Sequence, residues 1–249
     1  MNDEERYLFD LWGYLVVKDV LGEAEITELN NLIGERSQSE LHKEDIDSQR
    51  FGGFLELEND AFRNLLNHPR VMPYLKELIG DKFRLDHAYG IVMDKGNLGL
   101  NLHGGGTPYD PCQYYVCRNG QMYNGLTVVS WALTDMLPGQ GGFCCIPGSH
   151  KSNFICPSQF KPVTDNAECM VGVHQQAGDV AIFTEALTHG TLPWEAEHPR
   201  ISILVKYCPG HASWSRKQYS DSMRKQMNSE NQRRLLEPAY VHQREPVLE

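Results

Sequence analysis

The sequence contains no apolar run long enough to cross a membrane as a helix. Spanning a bilayer takes roughly 20 consecutive apolar residues, and the apolar residues here, 41% of the chain, are spread through mixed segments. The N-terminus begins with Asn2, Asp3, Glu4 and Glu5 instead of the basic and then apolar stretch of a secretory signal. We therefore expect a cytoplasmic protein without a membrane partner.

Paired cysteine motifs and an excess of positive charge are also missing. The seven cysteines are scattered without the C-x-x-C spacing of zinc or redox sites, so we expect free thiols in a reducing compartment.

Lys and Arg total 23 against 33 Asp and Glu, which gives a net charge of −10. Because binding a nucleic-acid backbone requires clusters of Lys and Arg, we do not expect nucleic acid as a partner.

Short segments that favour strands dominate the middle of the chain. They fall at residues 83–93, 98–103, 113–116, 126–133, 142–146, 170–174, 179–183 and 201–207, with Gly and Pro between them. Asn119-Gly120 adds a hairpin signal. About eight short strands of this kind fit a double-sheet jelly roll. We predict a mainly β, cupin-like fold, the double-stranded β-helix, with its core at about residues 83–210.

Helices are predicted on both sides of this core. Apolar residues recur at helical spacing in 22–36, and a second helix is expected over 69–78, with proline in its first turn and glycine at its end. The segment 211–249 is rich in Arg, Gln, Glu and Ser and predicts a peripheral helix and tail. We expect one domain over 1–249, with the N-terminal helical region at 1–82.

Two histidines are candidate metal ligands: His103 in the segment NLHGG and His189 in the segment ALTHG. Side chains near one open end of a jelly roll converge from strands that are distant in sequence. The separation of the two histidines in the sequence therefore does not prevent them from binding one metal ion. Enzymes that use non-haem Fe(II) usually bind it with two histidines and one carboxylate. The hypothesis is that His103 and His189 bind iron.

Arg200 and Ser202 follow His189 at the start of a predicted strand. A guanidinium binds a carboxylate through two parallel hydrogen bonds and stays charged when buried. Ser202 lies two residues further on, hence on the same strand face, where its hydroxyl adds a third donor. These two residues are candidates for binding the carboxylate of an organic acid.

Further motifs surround these residues. They are GYLVV at 13–17, WALTD at 131–135, GGFCCIPGSHK at 141–151 and GDVAIF at 178–183. Together with His189 and Arg200, in this order and over roughly residues 6–210, they resemble the phytanoyl-CoA dioxygenase family of Fe(II)/2-oxoglutarate oxygenases. The resemblance is more specific than any single motif.

The resemblance implies an enzyme that binds Fe(II) through His103 and His189 and 2-oxoglutarate through Arg200, assisted by Ser202. Thr127 and Thr134, on the central strand, are weaker candidates for contacting 2-oxoglutarate. With dioxygen, such an enzyme oxidises an aliphatic C–H bond of a small molecule.

The substrate is predicted only as a small molecule. Aromatic side chains often line such pockets, although most aromatics of a jelly roll belong to its core. The candidates for the substrate pocket are Tyr109, Tyr115, Trp131 and Trp194.

The carboxylate of the metal motif is missing. The family pattern is H-x-D or H-x-E, whereas this chain has Gly105 two residues after His103. Related halogenases have Gly or Ala there, and a chloride ion takes the place of the carboxylate and restores its negative charge. Alternatively, Asp110 reaches the metal and preserves hydroxylase chemistry, although an Asp before Pro is typical of a turn. The third alternative is a non-catalytic jelly-roll protein that binds a metal or ligand.

Overall fold

The computed structural model describes residues 1–37, 49–53, 55, 59–105, 110–216 and 218–248. Within these ranges the α-helices are α1 (Asp3–Trp12), α2 (Glu23–Ser37), α3 (Asp60–Asn64), α4 (Met72–Ile79), α5 (Asp221–Lys225) and α6 (Glu230–Leu235). The strands are β1 (Tyr14–Val17), β2 (Gln49–Phe51), β3 (Phe83–Met93), β4 (Leu100–His103), β5 (Tyr115–Arg118), β6 (Gln121–Asn124), β7 (Thr127–Ala132), β8 (Gly142–Cys145), β9 (Val171–Gly172), β10 (Val180–Thr184), β11 (His189–Leu192) and β12 (Arg200–Pro209). In the described part of the chain, no helix combines the length and apolar character that crossing a membrane requires.

Two antiparallel sheets form the body of the molecule. The six-stranded sheet has the order β1-β10-β7-β12-β3-β2, and the four-stranded sheet has the order β4-β11-β8-β9. Their facing sides share an apolar core in which the rings of Phe143 and Phe183 stack, with centroids 4.5 Å apart. Two facing antiparallel sheets confirm the predicted double-stranded β-helix.

The outer face of the six-stranded sheet packs against the helices. Trp131 of β7 and Leu75 of α4 belong to one apolar core there, together with Leu29 of α2. The C-terminal segment, expected to be peripheral, also enters this core, since Leu235 and Val247 are fully buried in it. Its short helices and tail therefore cover part of the apolar core, which the polar composition of the segment does not predict.

The long strand β12 positions the site because it pairs with both β3 and β7. Side chains alternate between the two faces of a strand. Odd-numbered positions such as Ile203 and Val205 point into the helical core, whereas Leu204 packs between the sheets. The even-numbered positions from Arg200 to Lys206 therefore form the inner face of β12.

Most predicted strands lie within a few residues of observed ones, and β3 has the predicted bounds. Asn119 and Gly120 both have positive φ and form the turn of the β5–β6 hairpin. The short strand β11 was not predicted, because Gly190 weakens its strand pattern. The glycine is required there, since a Cβ atom on Gly190 would lie 2.6 Å from the carbonyl oxygen of Leu100.

Candidate active site

His103 and His189 meet where β4 and β11 pair. The two residues are register partners, and their ring centroids lie 4.4 Å apart. Nδ1 of His103 lies 2.9 Å from the carbonyl oxygen of Asn101, and Nδ1 of His189 lies 2.7 Å from that of Leu187. Because a carbonyl oxygen only accepts hydrogen bonds, each Nδ1 donates and each Nε2 keeps its lone pair free. A pair of metal-binding imidazoles requires this arrangement.

His189 is held in its neutral form. Its ring is buried, and burial lowers the pKa of His189 to about 4, although the nearby Glu185 carboxylate acts in the opposite direction. Metal ions bind the neutral imidazole. At neutral pH His189 therefore needs no proton loss before it binds a cation.

Gly104 and Gly105 follow His103 with φ values of +82° and +93°. A Cβ atom on Gly104 would lie 2.8 Å from the carbonyl oxygen of Leu187, which leaves no space for a side chain. Around Gly105 there is space, with contacts at 3.6 Å, but its φ disfavours residues that have a side chain. The backbone is therefore suited to glycine at the position where the H-x-D motif has its carboxylate.

A buried ion pair that sequence reasoning missed lies beside the histidines. Glu185, in the connection between β10 and β11, accepts a hydrogen bond from Nζ of Lys206 on the inner face of β12. Both side chains are buried. Burial raises the pKa of Glu185, but the neighbouring positive charge, that of Lys206 foremost, outweighs burial and brings that pKa below its ordinary value. Glu185 is thus an ionised carboxylate paired with a buried ammonium.

Arg200 and Ser202 occupy the other end of the inner face of β12. The guanidinium Nε lies 3.1 Å from Sδ of Met136, and Nη1 lies 3.2 Å from Sδ of Met93. Burial lowers the pKa of Arg200 to about 10, so the group is positive at neutral pH. Within the described ranges no carboxylate pairs with it. The Ser202 hydroxyl is also buried without a hydrogen-bond partner.

A cavity of about 200 Å³ opens beside His103. Gly104 and Gly105 form one part of its wall, and Thr188 of the β10–β11 connection forms another. Phe154, which is 83% exposed, also lines the cavity. His103 is therefore accessible from solvent through a cavity whose lining is both polar and apolar.

The sequence of residues 9–202 matches the family model described as phytanoyl-CoA dioxygenase (PhyH). The chain belongs to the phytanoyl-CoA dioxygenase family. This confirms the resemblance seen in the motifs and places the chain in a class of non-haem iron, 2-oxoglutarate-dependent enzymes. No curated protein matches the sequence.

Solved structures with the same fold include a protein from Streptomyces hygroscopicus and two enzymes of nogalamycin biosynthesis. HygX from Streptomyces hygroscopicus, with nickel, 2-oxoglutarate and hygromycin B bound, is 24% identical over 87% of this chain and 90% of HygX, with a TM-score of 0.77. The carbocyclase SnoK from nogalamycin biosynthesis is 18% identical over 85% of each chain, with a TM-score of 0.66. The epimerase SnoN from the same biosynthesis is 18% identical over 84% of this chain and 83% of its own, with a TM-score of 0.64. At these identities the likeness establishes the fold.

In this family member Asp110 lies in a turn. Its Oδ1 accepts hydrogen bonds from the backbone N–H groups of Cys112 and Gln113, at 2.7 and 2.8 Å. Among the residues that the structure describes, no three His, Cys, Asp or Glu side chains are grouped closely enough to hold a metal ion. The structure therefore assigns Asp110 the local role that its place before a proline suggests.

The two threonines stabilise the six-stranded sheet. Thr127 pairs with Tyr207 at the far end of β12 from Arg200, and its hydroxyl donates to the carbonyl of Gly125. Thr134 Oγ1 accepts a hydrogen bond of 2.9 Å from the backbone N–H of Ile201. Thr127 is thus remote from the Arg200 site, and Thr134 fixes the backbone beside it.

Trp131 and Tyr115 lie outside the region between the sheets. Trp131 is on the outer face of β7, where its ring makes an edge contact with that of His68 at 5.4 Å between centroids. The Tyr115 hydroxyl donates a hydrogen bond to Asp10 of α1. Neither position supports the predicted role in a substrate pocket.

Trp194 is the aromatic candidate placed close to Arg200. It is fully buried and shares an apolar cluster with Met93 and Met136, the two methionines that contact the guanidinium. It therefore packs with the methionines that surround the Arg200 guanidinium. Tyr109 lies outside the described residues.

Proposed function

We propose that this protein is an Fe(II)- and 2-oxoglutarate-dependent oxidoreductase that acts on an aliphatic C–H bond of a small molecule. The observation that carries the proposal lies on the inner face of β12: the Arg200 guanidinium contacts only thioether sulfurs and pairs with no carboxylate of the described residues, and the Ser202 hydroxyl is buried without a partner among them. Buried polar groups are normally satisfied, and a carboxylate fits this site because it accepts both parallel bonds from a guanidinium. A terminal carboxylate of 2-oxoglutarate has this chemistry.

His103 and His189 would hold the iron. Their Nδ1 atoms are engaged by backbone carbonyls, which fixes both rings and leaves the Nε2 atoms for a metal. When bound, iron and 2-oxoglutarate supply the oxidising power for cleavage of the C–H bond, with dioxygen as cosubstrate. The chain's own residues bind and orient these groups.

The apolar surroundings of Arg200 strengthen binding of the acid. Met93, Met136 and Trp194 exclude water from the guanidinium. In a region of low dielectric constant, the attraction between opposite charges is larger than in water. A small-molecule substrate is supported by the opening beside His103 and by HygX, which is known with hygromycin B bound.

The reaction outcome depends on what replaces the missing carboxylate. Gly105 offers no side-chain ligand and has a backbone conformation suited to glycine. This observation favours chloride at the metal and halogenation as the second candidate function. Hydroxylation remains the first candidate function. It requires that another group of the chain take the place of the missing carboxylate at the metal.

The test is an anaerobic titration of the Fe(II)-loaded protein with 2-oxoglutarate, followed by visible absorption. We expect an absorption band when the acid chelates the iron, and succinate formation when air is admitted. His189→Gln should abolish the band because it removes an iron ligand. If the wild-type protein gives neither the band nor succinate, the proposal is wrong and the protein is a non-catalytic binding protein.

A further inference from the structure

An unsatisfied arginine donor lies on the inner face of the six-stranded sheet. Arg50 of β2 is the register partner of Ile91 of β3, whose side chain packs against the apolar core between the sheets. Register partners of an antiparallel pair share a face of the sheet, so Arg50 also points to the inner side. Its Nε is buried and has no hydrogen-bond partner among the described residues. Because buried polar atoms are normally satisfied, this donor indicates a binding site for an acceptor.

The Arg50 guanidinium and the Lys206 ammonium both lie beside Tyr89. Cζ of Arg50 and Nζ of Lys206 are each 5.5 Å from the centroid of the Tyr89 ring. Lys206 is paired with the carboxylate of Glu185, so Arg50 adds a positive charge that this pair does not balance. Nε and one Nη of a guanidinium are two parallel donors. An oxyanion that satisfies Nε of Arg50 would therefore accept a second bond as well.

Three aromatic rings continue this region along β3. The ring of His87 lies between those of Tyr89 and Trp214, with centroid distances of 5.8 Å and 5.5 Å and interplanar angles of 10° and 24°. We call these three residues the ring stack. The buried carboxylate of Asp86 fixes two of them, since it lies 2.6 Å from Nδ1 of His87 and accepts a 2.9 Å hydrogen bond from the backbone N–H of Trp214. Trp214 is nevertheless 52% exposed. A ring that is already fixed and half exposed loses little conformational entropy when a ligand packs on it.

We propose that Arg50 and the ring stack form the substrate-binding surface of this protein, and that the substrate is a small organic acid that contains a planar ring. The carboxylate of the acid accepts two hydrogen bonds from Arg50, and its ring packs on the stack at Trp214. This inference rests on the proposed function, because it names the substrate class of the same enzyme.

The surface adjoins the candidate active site. His87 is the register partner of Lys206 on β12. Lys206 in turn binds Glu185, four residues before His189 in the connection between β10 and β11. An acid held by Arg50 and the ring stack would therefore lie on the side of the molecule where the histidine pair is found.

The surface is separate from the Arg200 site. Arg200 is the register partner of Met93, four residues along β3 from Tyr89, or about 13 Å along the strand. The Arg200 guanidinium contacts two methionines, whereas that of Arg50 lies beside an aromatic ring. Two acids, 2-oxoglutarate and the substrate, therefore have a guanidinium each.

The experiment measures the binding of 2-naphthoate to the metal-free protein by calorimetric titration, with 2-naphthamide as its uncharged counterpart. The wild type should bind the acid at least about 10-fold more tightly than the amide, because hydrogen bonds to a charged group are the stronger ones. Arg50→Met should abolish this preference, and Arg50→Lys should keep part of it. Trp214→Ala should weaken binding of both compounds about fivefold through the loss of ring packing. Arg118→Met, which removes an exposed arginine of the β5–β6 hairpin, is the matched control and should bind like the wild type.

The inference is overturned by a wild-type protein that does not prefer 2-naphthoate or does not bind it, or by a preference that survives in Arg50→Met. It is also overturned if Arg200→Met loses the preference to the same extent, which would place the acid at the Arg200 site. The titration needs neither iron nor 2-oxoglutarate, so its result is independent of the absorption band that tests the proposed function. Absence of that band would refute the proposed function while the acid-binding surface stands or falls by the titration.

Discussion

The inner face of β12 carries two buried cations whose surroundings are opposite in character. Arg200, at one end, contacts the thioethers of Met93 and Met136 and has no anion among the described residues. Lys206, near the other end, is bonded to the buried carboxylate of Glu185. One strand face therefore holds an unpaired positive charge and a paired one.

The pKa values of the two groups differ accordingly. Burial lowers the pKa of Arg200 to about 10, because no carboxylate among the described residues compensates the charge. Burial acts in the same direction on Lys206, but Glu185 outweighs it and raises the pKa of the ammonium above its ordinary value. An unpaired buried charge costs stability and indicates a binding site for an anion, whereas a paired one is already satisfied by the fold.

Neutralising each cation should therefore have opposite effects on folding. Lys206→Met leaves the Glu185 carboxylate buried without a counter-charge and should lower the free energy of unfolding by about 3 to 5 kcal/mol. Arg200→Met removes an unpaired charge and should leave the free energy of unfolding unchanged or higher. Urea denaturation of both variants in the absence of ligands tests this, and equal destabilisation would mean that Arg200 has an anionic partner in the folded chain.

The same Arg200→Met change should abolish most 2-oxoglutarate binding. Removing one member of a buried charge pair costs about 2 to 5 kcal/mol in binding free energy, or about 30-fold or more in affinity. Calorimetric titration of the Co(II)-loaded protein with 2-oxoglutarate measures the loss. Arg200→Lys should fall between wild type and Arg200→Met, because it keeps the charge without the two parallel donors. Wild-type affinity in Arg200→Met would place the acid elsewhere.

Lowering the pH should reduce the free energy of unfolding through groups near the Lys206 end of β12, and it should leave the Arg200 end unaffected. His189 has a folded pKa of about 4 against an ordinary value of 6.5, so the unfolded chain binds its proton first. The stability that depends on neutral His189 is complete above pH 6.5 and is lost as the pH falls toward 4, by roughly 3 kcal/mol. Burial lowers the pKa of His150 to about 4 as well, so that residue adds to the same loss.

His189→Gln should remove about half of this acid sensitivity, measured as the change in urea midpoint between pH 7 and pH 5. An unchanged pH profile in that variant would show that His189 is not neutral in the folded protein. Arg200 stays charged over the whole range, so Arg200→Met should keep the wild-type slope.

Much of this site is predictable from sequence because the responsible signals are local. The family motifs identify the jelly roll, and His103, His189, Arg200 and Ser202 follow from those motifs. The signal for Lys206 was also present, since a Lys at an even-numbered position of β12 shares the face of Arg200 and Ser202. This alternation predicts that Lys206 is a buried cation, and a buried cation needs a partner of opposite charge.

Glu185 and the aromatic residues required the structure. A Glu between two strands has the pattern of an ordinary turn residue, and its burial depends on the pairing of β11 with β4. Strand periodicity places Trp131 and Thr127 on the same face of β7, but it does not say whether that face lies between the sheets or against the helices. That choice depends on the helices, which cover the outer face of the sheet.

Ser202→Ala gives the smallest expected effect and separates binding from folding. The hydroxyl has no partner among the residues that the structure describes, so its removal should leave the free energy of unfolding unchanged or slightly higher. If Ser202 donates to the bound acid, the loss of one hydrogen bond should weaken 2-oxoglutarate binding by about 1 kcal/mol, or about fivefold. Thr134→Val is the matched comparison: it deprives the partly buried N–H of Ile201 of its acceptor and should lower the free energy of unfolding by about 1 kcal/mol. Should Ser202→Ala also destabilise the chain while 2-oxoglutarate affinity is unchanged, the hydroxyl belongs to the fold, and Arg200 alone would hold the carboxylate.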